Sequence, residues 1–214
     1  VRPVTPGTLQ LLAEYVSGKY DVLLAALWQQ CQLVFFASVI TLLLGVAIGV
    51  SMRNRPRLAR ILLRITGTLY TIPILASFAL LIPLLGIGQT PALIALIMYG
   101  MLPVLHNTYA GLRDVDPAVR EAARGMGADS RQMLLLVELP LALPKIVAGV
   151  RTMVVMNISV STFAVFIGAG GLGAVILQGI RTFHDGMLLA GTLLTALLAM
   201  TAEQLLKWLE QKVR

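Results

Sequence analysis

The chain has 214 residues, 57% of them hydrophobic and 13% charged, with a formal net charge of +7. Soluble domains carry about 25% charged residues, so the composition excludes an ordinary water-soluble globule and points to a bilayer as solvent. The basic excess therefore reports on membrane topology, not on nucleic acid, and the single cysteine, Cys31, excludes an internal disulfide or a zinc site and reads as a small buried apolar residue.

The first thirty residues lack the basic start, short apolar core and small-residue cleavage site of a secretory signal. Residues 8–30, "TLQLLAEYVSGKYDVLLAALWQQ", hold apolar residues in partial helical spacing. They are expected to lie along the membrane surface, to be interrupted at Gly18 and to run into the first span. Five apolar stretches reach the roughly 20 residues that a bilayer requires: 29–51, 65–86, 91–112, 146–168 and 186–206. The first carries Gly45 and Gly49 four apart, the small-xxx-small spacing of close helix contacts in membranes. In the second, Pro73 predicts a kink and Pro83 an end. The third holds Tyr99, Pro103, His106 and Asn107, and the fourth Asn157, Ser159, Ser161 and Thr162. The domain plan is an extracytoplasmic or interfacial segment, 1–28, followed by one all-α transmembrane domain, 29–214.

Charge orients the spans. Five Arg follow the first span (Arg53, Arg55, Arg57, Arg60, Arg64). Five bases lie between the third and fourth (Arg113, Arg120, Arg124, Arg131, Lys145), and three close the chain (Lys207, Lys212, Arg214). The opposite side holds only Arg2, Lys19 and Arg181. The positive-inside rule then puts the N-terminus outside and the C-terminus in the cytoplasm of a multi-pass inner-membrane protein. Arg151, early in the fourth span, reads as a snorkelling anchor at the inner interface.

The cytoplasmic segment 113–145, "RDVDPAVREAARGMGADSRQMLLLVELPLALPK", is long for a connector. Asp114, Asp116 and Pro117 read as a helix start. Gly125 and Gly127 should end that helix, because each weakens it by about 1 kcal/mol relative to Ala. Asp129 or Ser130 should cap a second helix, with Pro140 and Pro144 interrupting the chain before the fourth span. The expected product is two short helices set at an angle.

Within this segment stands Glu-Ala-Ala, three residues, Gly, nine residues, an aliphatic, one residue and Leu-Pro: Glu121, Ala122, Ala123, Gly127, Val137, Leu139 and Pro140. The pattern resembles the cytoplasmic loop of binding-protein-dependent ABC importer permeases. The resemblance implies a coupling helix, with Glu121, Ala122, Ala123, Gly125, Gly127, Leu139 and Pro140 facing a separate ATP-binding subunit. "YTIPILASFALLIPLLGIG" (70–88), "YGMLPVLHNTYAGL" (99–112), "VDPAVREAARGMGA" (115–128) and "FIGAGGLGAVILQGI" (166–180) resemble the permeases of osmoprotectant importers, whose solutes include glycine betaine, carnitine and choline. The segment "NISVSTFAVF" (157–166) departs from that subfamily's pattern, so solute identity is the weakest part of the resemblance. The likeness further implies a second permease subunit, identical or homologous, and an extracytoplasmic substrate-binding protein as partners, with lipid around the spans. A permease for methionine or another amino acid, and a non-transporting membrane sensor or interaction protein, are the alternatives.

Other chemistries find little support. "GAGGLG" (168–173) matches a dinucleotide fingerprint, but a membrane span precedes it where a strand is needed. Gly168, Gly170, Gly171 and Gly173 read instead as an external gate or as a tight turn. No phosphate-cradling G-x-x-x-x-G-K-[ST] occurs, so ATP hydrolysis belongs to another polypeptide and the chain is not an enzyme. His106 and His184 stand alone, which predicts no metal site and no cofactor. Tyr99, Asn157, Ser159, Ser161 and Thr162 are the polar candidates for a translocation path. Ser and Thr in membrane helices commonly bond back to their own backbone, however, and selectivity is expected to reside in the binding protein.

Overall fold

The computed structural model describes residues 6–213, which form helices joined by short turns, with no strand among them. Gly18 ends α1 (Pro6–Gly18), and after Lys19 the chain enters α2 (Tyr20–Met52). At 1.5 Å per residue α2 is about 50 Å long, well beyond the ~30 Å hydrocarbon core. It starts earlier than residue 29 because its glutamines do not break it. One edge of α2 is buried through Gln30, Val34, Ala37, Thr41, Gly45 and Gly49, at near-helical spacing. Phe35, Phe36, Leu43 and Leu44 remain exposed for lipid or a partner. α1 packs against α10 (Asp185–Val213), where Leu12 and Tyr15 join Leu23, Ala26, Leu172, Val175 and Ala190.

After an Arg-rich turn come α3 (Pro56–Thr71) and α4 (Ile74–Leu85), bent by 99°. The sequence predicted a kinked span here; the structure has a break. Pro73 disfavours helical geometry at the residue before it, and Ile72 is extended (φ −69°, ψ 128°). The Tyr99 hydroxyl donates to the freed Ile72 carbonyl and lies 3.1 Å from Ser77 Oγ. Pro83 does not end α4; the helix runs on to Leu85, and the chain turns at Gly86 (φ +79°). If the bent pair counts as one crossing, the described residues hold up to five helices long and apolar enough to span a membrane.

The hub is α5 (Gln89–Arg113), which contacts α2, α3, α4 and α8. Its approach to α2 depends on Gly45 and Gly49. A methyl group at either position would sit 2.6 Å from Val104 Cγ1 or from Thr108 Cγ2, inside contact distance. This is the close packing that small-xxx-small spacing permits.

Beyond α6 (Pro117–Gly125), α7 (Ser130–Gln132) passes through a π-helical stretch, Met133–Glu138, into α8 (Leu139–Ser161) and a 3₁₀ turn, Thr162–Ile167. The predicted interruption at Pro140 and Pro144 is therefore corrected: the helix is continuous from Ser130. A helical proline ring crowds the carbonyl four residues earlier. The wider π turn, where Leu139 N–H reaches Leu134 O, gives room just before Pro140. Only α6 is a separate short helix. The remainder, α9 (Leu172–Thr182) and α10, packs as an antiparallel pair. Arg151 is likewise more than an interfacial anchor: Nη1 lies 2.5 Å from Glu203 and Nε 3.2 Å from Glu210, tying α8 to α10.

Candidate functional site

Three features hold the polar chemistry of the bundle. The first is the loop 113–145. Asp116 caps α6 through Oδ1, which accepts from Ala118 N–H at 2.8 Å, and Pro117 takes the first helical position. At the far end, Gly127 N–H reaches Arg124 O (2.9 Å) and Ala128 N–H reaches Ala123 O (3.0 Å), with Gly127 at φ +87°. This is a Schellman close, and it requires a residue comfortable in the left-handed region. Gly127 is therefore the stop; Gly125 is the last helical residue, and nothing lies within 4 Å of the position a methyl would take there. Asp129 and Gln132 then form a reciprocal capping box (Oδ1 from Arg131 N–H 2.7 Å and Gln132 N–H 2.8 Å; Oε1 from Asp129 N–H 2.9 Å).

Ala123, at 4% exposure, seats α6 on the bundle, while Glu121, Ala122, Arg124, Gly125, Met126 and Gly127 face outward. Met126 is 83% exposed and Val119 41%. Leu139 is half-buried and Pro140 exposed at the start of α8, away from this face in sequence. The loop thus presents a small-residue helix with an apolar tip and charges beside it. Lys145 pairs with Asp114 across the loop's base and holds its carboxyl below the usual carboxylate range, chiefly by hydrogen bonding.

The sequence reading assigned no role to Glu138, the one acid in "MLLLVELP". It is buried and meets two guanidinium groups. Arg53 Nη1 donates to Oε2 at 2.7 Å, and Arg120 Nε lies 3.1 Å from Oε1, a charge contact whose angle falls short of a hydrogen bond. Arg53 and Arg120 were read as members of a basic side, one counted charge each. An acid inside an apolar run was the available signal.

The second feature is the glycine turn at the opposite end of the bundle. Gly168, Gly170 and Gly171 all have positive φ, from +74° to +82°, and Gly173 packs too close to the Thr162 carbonyl for a side chain. Gln30, 1% exposed, accepts from Leu172 N–H at 2.9 Å and donates to Ile158 O at 3.3 Å; Gln29 accepts from Gly171 N–H at 3.2 Å. The glutamines of α2 thereby satisfy N–H groups at the start of α9, which helices leave unpaired. Gly88 N–H donates to Ile167 O at 2.8 Å and joins the α4–α5 turn to the same place.

The third feature is the set of polar groups named for a path. Ser159, Ser161 and Thr162 each donate to a carbonyl three or four residues back (Val155, Ile158 and Ser159). Tyr99 is spent on the Pro73 break. Asn157 differs: it is fully buried, its Nδ2 makes only long contacts to Ser38 Oγ (3.5 Å) and Met153 Sδ (3.4 Å), and its Oδ1 has no protein partner. Thr41 Oγ1, also buried and without a protein partner, lines the same α2–α5–α8 junction around Gly100. Nearer the glycine turn, a cleft of about 350 Å³ opens between α2 and α5, with Gln32, Gln89 and Thr90 among its walls.

Comparison with known proteins agrees with this arrangement. The family described as "Binding-protein-dependent transport system inner membrane component" matches residues 34–214. The chain is similar to the osmoprotectant import permease protein OsmW of Salmonella typhimurium, at 41% identity over 92% of this chain and 94% of that protein. It is 35% identical to the carnitine transport permease protein OpuCD of Listeria monocytogenes (95% and 92% covered). It is 34% identical to the glycine betaine/carnitine/choline transport system permease protein OpuCD of Bacillus subtilis (95% and 89%). Among solved structures, an inward-facing form of the MetNI methionine ABC transporter superposes with a TM-score of 0.83 at 22% identity, covering 91% of this chain and 97% of that one. An all-helical bundle of apolar spans, a protruding Glu-Ala-Ala helix and a family match over most of the chain have one reading: the chain belongs to the family of binding-protein-dependent transport system inner membrane components, the multi-pass permease subunits of ABC importers.

Proposed function

We propose that this chain forms the translocation path of an importer for a small quaternary-ammonium osmoprotectant such as glycine betaine, carnitine or choline. Two permease subunits enclose the path, a separate ATP-binding subunit docks on the exposed α6 face of each, and an extracytoplasmic binding protein delivers the solute. The observation that carries the coupling role is the small-residue helix α6 (Pro117–Gly125) with its Gly127 turn, capped at both ends and left uncovered on its outer side. The solute class rests on relatives with osmoprotectant names at 34–41% identity over nearly the whole chain.

Orientation follows from charge. Arg53, Arg120 and Lys145 gather at the α6 end, and Gly168–Gly173 lies at the other. By the positive-inside rule the α6 end is cytoplasmic, the N-terminus outside and the C-terminus inside. Asn157 Oδ1 is unspent, as are Thr41 Oγ1 and Thr108 Oγ1 among the described residues; of these we assign Asn157, the largest polar group at the α2–α5–α8 junction, to the path together with the Gln32–Gln89 cleft. The test is ATP-dependent uptake into proteoliposomes carrying the permease, its ATPase and its binding protein. Labelled glycine betaine, carnitine or choline should accumulate, and methionine should not. Accumulation of methionine alone would reject the solute class.

A further inference from the structure

The coupling helix has little to hold it. It spans nine residues, too short to be stable alone in water, and it buries one alanine side chain. Its packing partner is the π-helical stretch Met133–Glu138. The chain enters it through the turn after Arg113 and leaves it through the Gly127 turn. A push on α6 from outside would be lost in those turns unless a stiffer link carried it into the spans.

Glu138 supplies such a link. Its two carboxylate oxygens are taken by different helices: Oε1 by Arg120 of α6, Oε2 by Arg53 at the end of α2. Each arginine then reaches a further element. Arg120 Nη2 donates to the Leu112 carbonyl in the last turn of α5, and Arg53 Nη2 donates to Ser130 O, the first residue of α7, at 3.2 Å. One carboxylate therefore joins the coupling helix to α2, α5 and the root of α8. The Glu138 side chain is 8% exposed and those of Arg53 and Arg120 are 14% and 24% exposed, so the charges interact through a medium of lower dielectric than water. Oε2 accepts a hydrogen bond from Arg53 Nη1, and Oε1 faces the Arg120 Nε charge at 3.1 Å, so the joint resists being pulled apart on both sides.

The π turn places the carboxylate. Met133 and Glu138 are both buried although five residues apart. In α geometry, at 3.6 residues per turn, they would diverge by about 140°. The wider turn brings both to the side that faces α6 and the end of α2. Single π turns inside α-helices recur at functional sites.

We propose that Glu138 is a positioning residue of the transport cycle: the Arg53–Glu138–Arg120 clamp gears the coupling helix to the spans, so that movement of the docked ATPase becomes movement of α2, α5 and α8. This rests on the reading that α6 is the docking element. The clamp differs from a stability device in one respect that can be measured. Replacing a buried ion cluster with apolar residues of similar size often leaves stability unchanged or raised, but such packing lacks the charge attraction that draws the three elements together.

The experiment compares wild type, Glu138→Gln and the triple variant Arg53→Met, Arg120→Met, Glu138→Leu. All are reconstituted with the ATPase and the binding protein, using whichever of glycine betaine, carnitine and choline the wild type imports. Retention of the ATPase on purification, ATP hydrolysis and solute imported per ATP are read for each. The proposal expects the triple variant to insert, to hold the ATPase and to hydrolyse ATP, while solute per ATP falls roughly tenfold, within the range of typical coupling between sites. Glu138→Gln should show the same loss of ratio. Wild-type solute per ATP in the triple variant would overturn the clamp and leave the docking reading intact. Failure of the wild type to retain the ATPase would overturn both.

Discussion

The two glycines of the coupling helix make opposite predictions. Gly127 sits at φ +87°, a conformation that costs a residue with a Cβ about 1–2 kcal/mol. Gly127→Ala should therefore weaken the Schellman close by that amount and raise the open population of the helix end roughly fivefold to thirtyfold. The amides to watch are Gly127 and Ala128, whose bonds to Arg124 O and Ala123 O would be the first lost. Gly125 is helical, and no atom lies within 4 Å of an added methyl. Gly125→Ala should accordingly stabilise α6 by about 0.5–1 kcal/mol. Hydrogen exchange of the loop in detergent, read by mass spectrometry, separates the two: faster exchange across 123–128 for Gly127→Ala, slower for Gly125→Ala. ATPase retention then adds the functional arm. Gly127→Ala should weaken it, and Gly125→Ala should weaken it only if the partner contacts that bare face. Unchanged exchange in Gly127→Ala would refute the assignment of that residue as the helix stop.

Gln30→Leu leaves the buried Leu172 N–H without an acceptor, a cost of about 1–3 kcal/mol; thermal unfolding in detergent should show it, and an unchanged midpoint would mean that the glycine turn does not depend on α2. Gly49→Val should cost about 1–3 kcal/mol by forcing α2 from Thr108, whereas Gly67→Ala, with open space around it, should stabilise α3 by up to about 1 kcal/mol; equal effects would contradict the close α2–α5 packing. Asn157→Leu should leave stability within about 1 kcal/mol, because the amide makes only long contacts, yet slow solute uptake; wild-type uptake would remove Asn157 from the path. The depressed Asp114 carboxyl gives its pairing with Lys145 a pH dependence. The stabilisation is full above the ordinary carboxylate pKa and disappears as pH falls through the lower folded value. Protection at the end of α5 should fall in acid for wild type and lose that dependence in Lys145→Met.

Composition and apolar run length pointed to the four long apolar helices, and to the bent pair that makes a fifth crossing if it counts as one, because a bilayer imposes a minimum length that few other constraints mimic. The Asp116 cap, a second cap at Asp129 or Ser130 and the close approach at Gly45 and Gly49 were legible for a similar reason: each depends on residue types at fixed short spacing; the Asp129–Gln132 box itself came from the structure. Pro73 was visible as a breaker, but the size of the bend depends on Tyr99, which lies 26 residues further on. Pro140 misled because the π turn that makes room for it has no sequence signature, and Pro144 because it is carried inside α8 without ending it. The Glu138 clamp was hidden because its arginines lie 85 and 18 residues away in a chain most of whose bases favour one side. The hydroxyls of Ser159, Ser161 and Thr162 looked available for a path, yet their own helix uses them.

The coupling role rests on an ATP-binding subunit docking at the exposed face of α6 and its Gly127 turn. Its most direct test is co-purification of that subunit with wild type and with Glu121→Lys, each first shown to insert in the membrane. Wild type should retain the ATPase, and the variant, with its charge reversed on the exposed side of α6, should insert but lose it. Retention by the inserted Glu121→Lys variant at the wild-type level would contradict that docking.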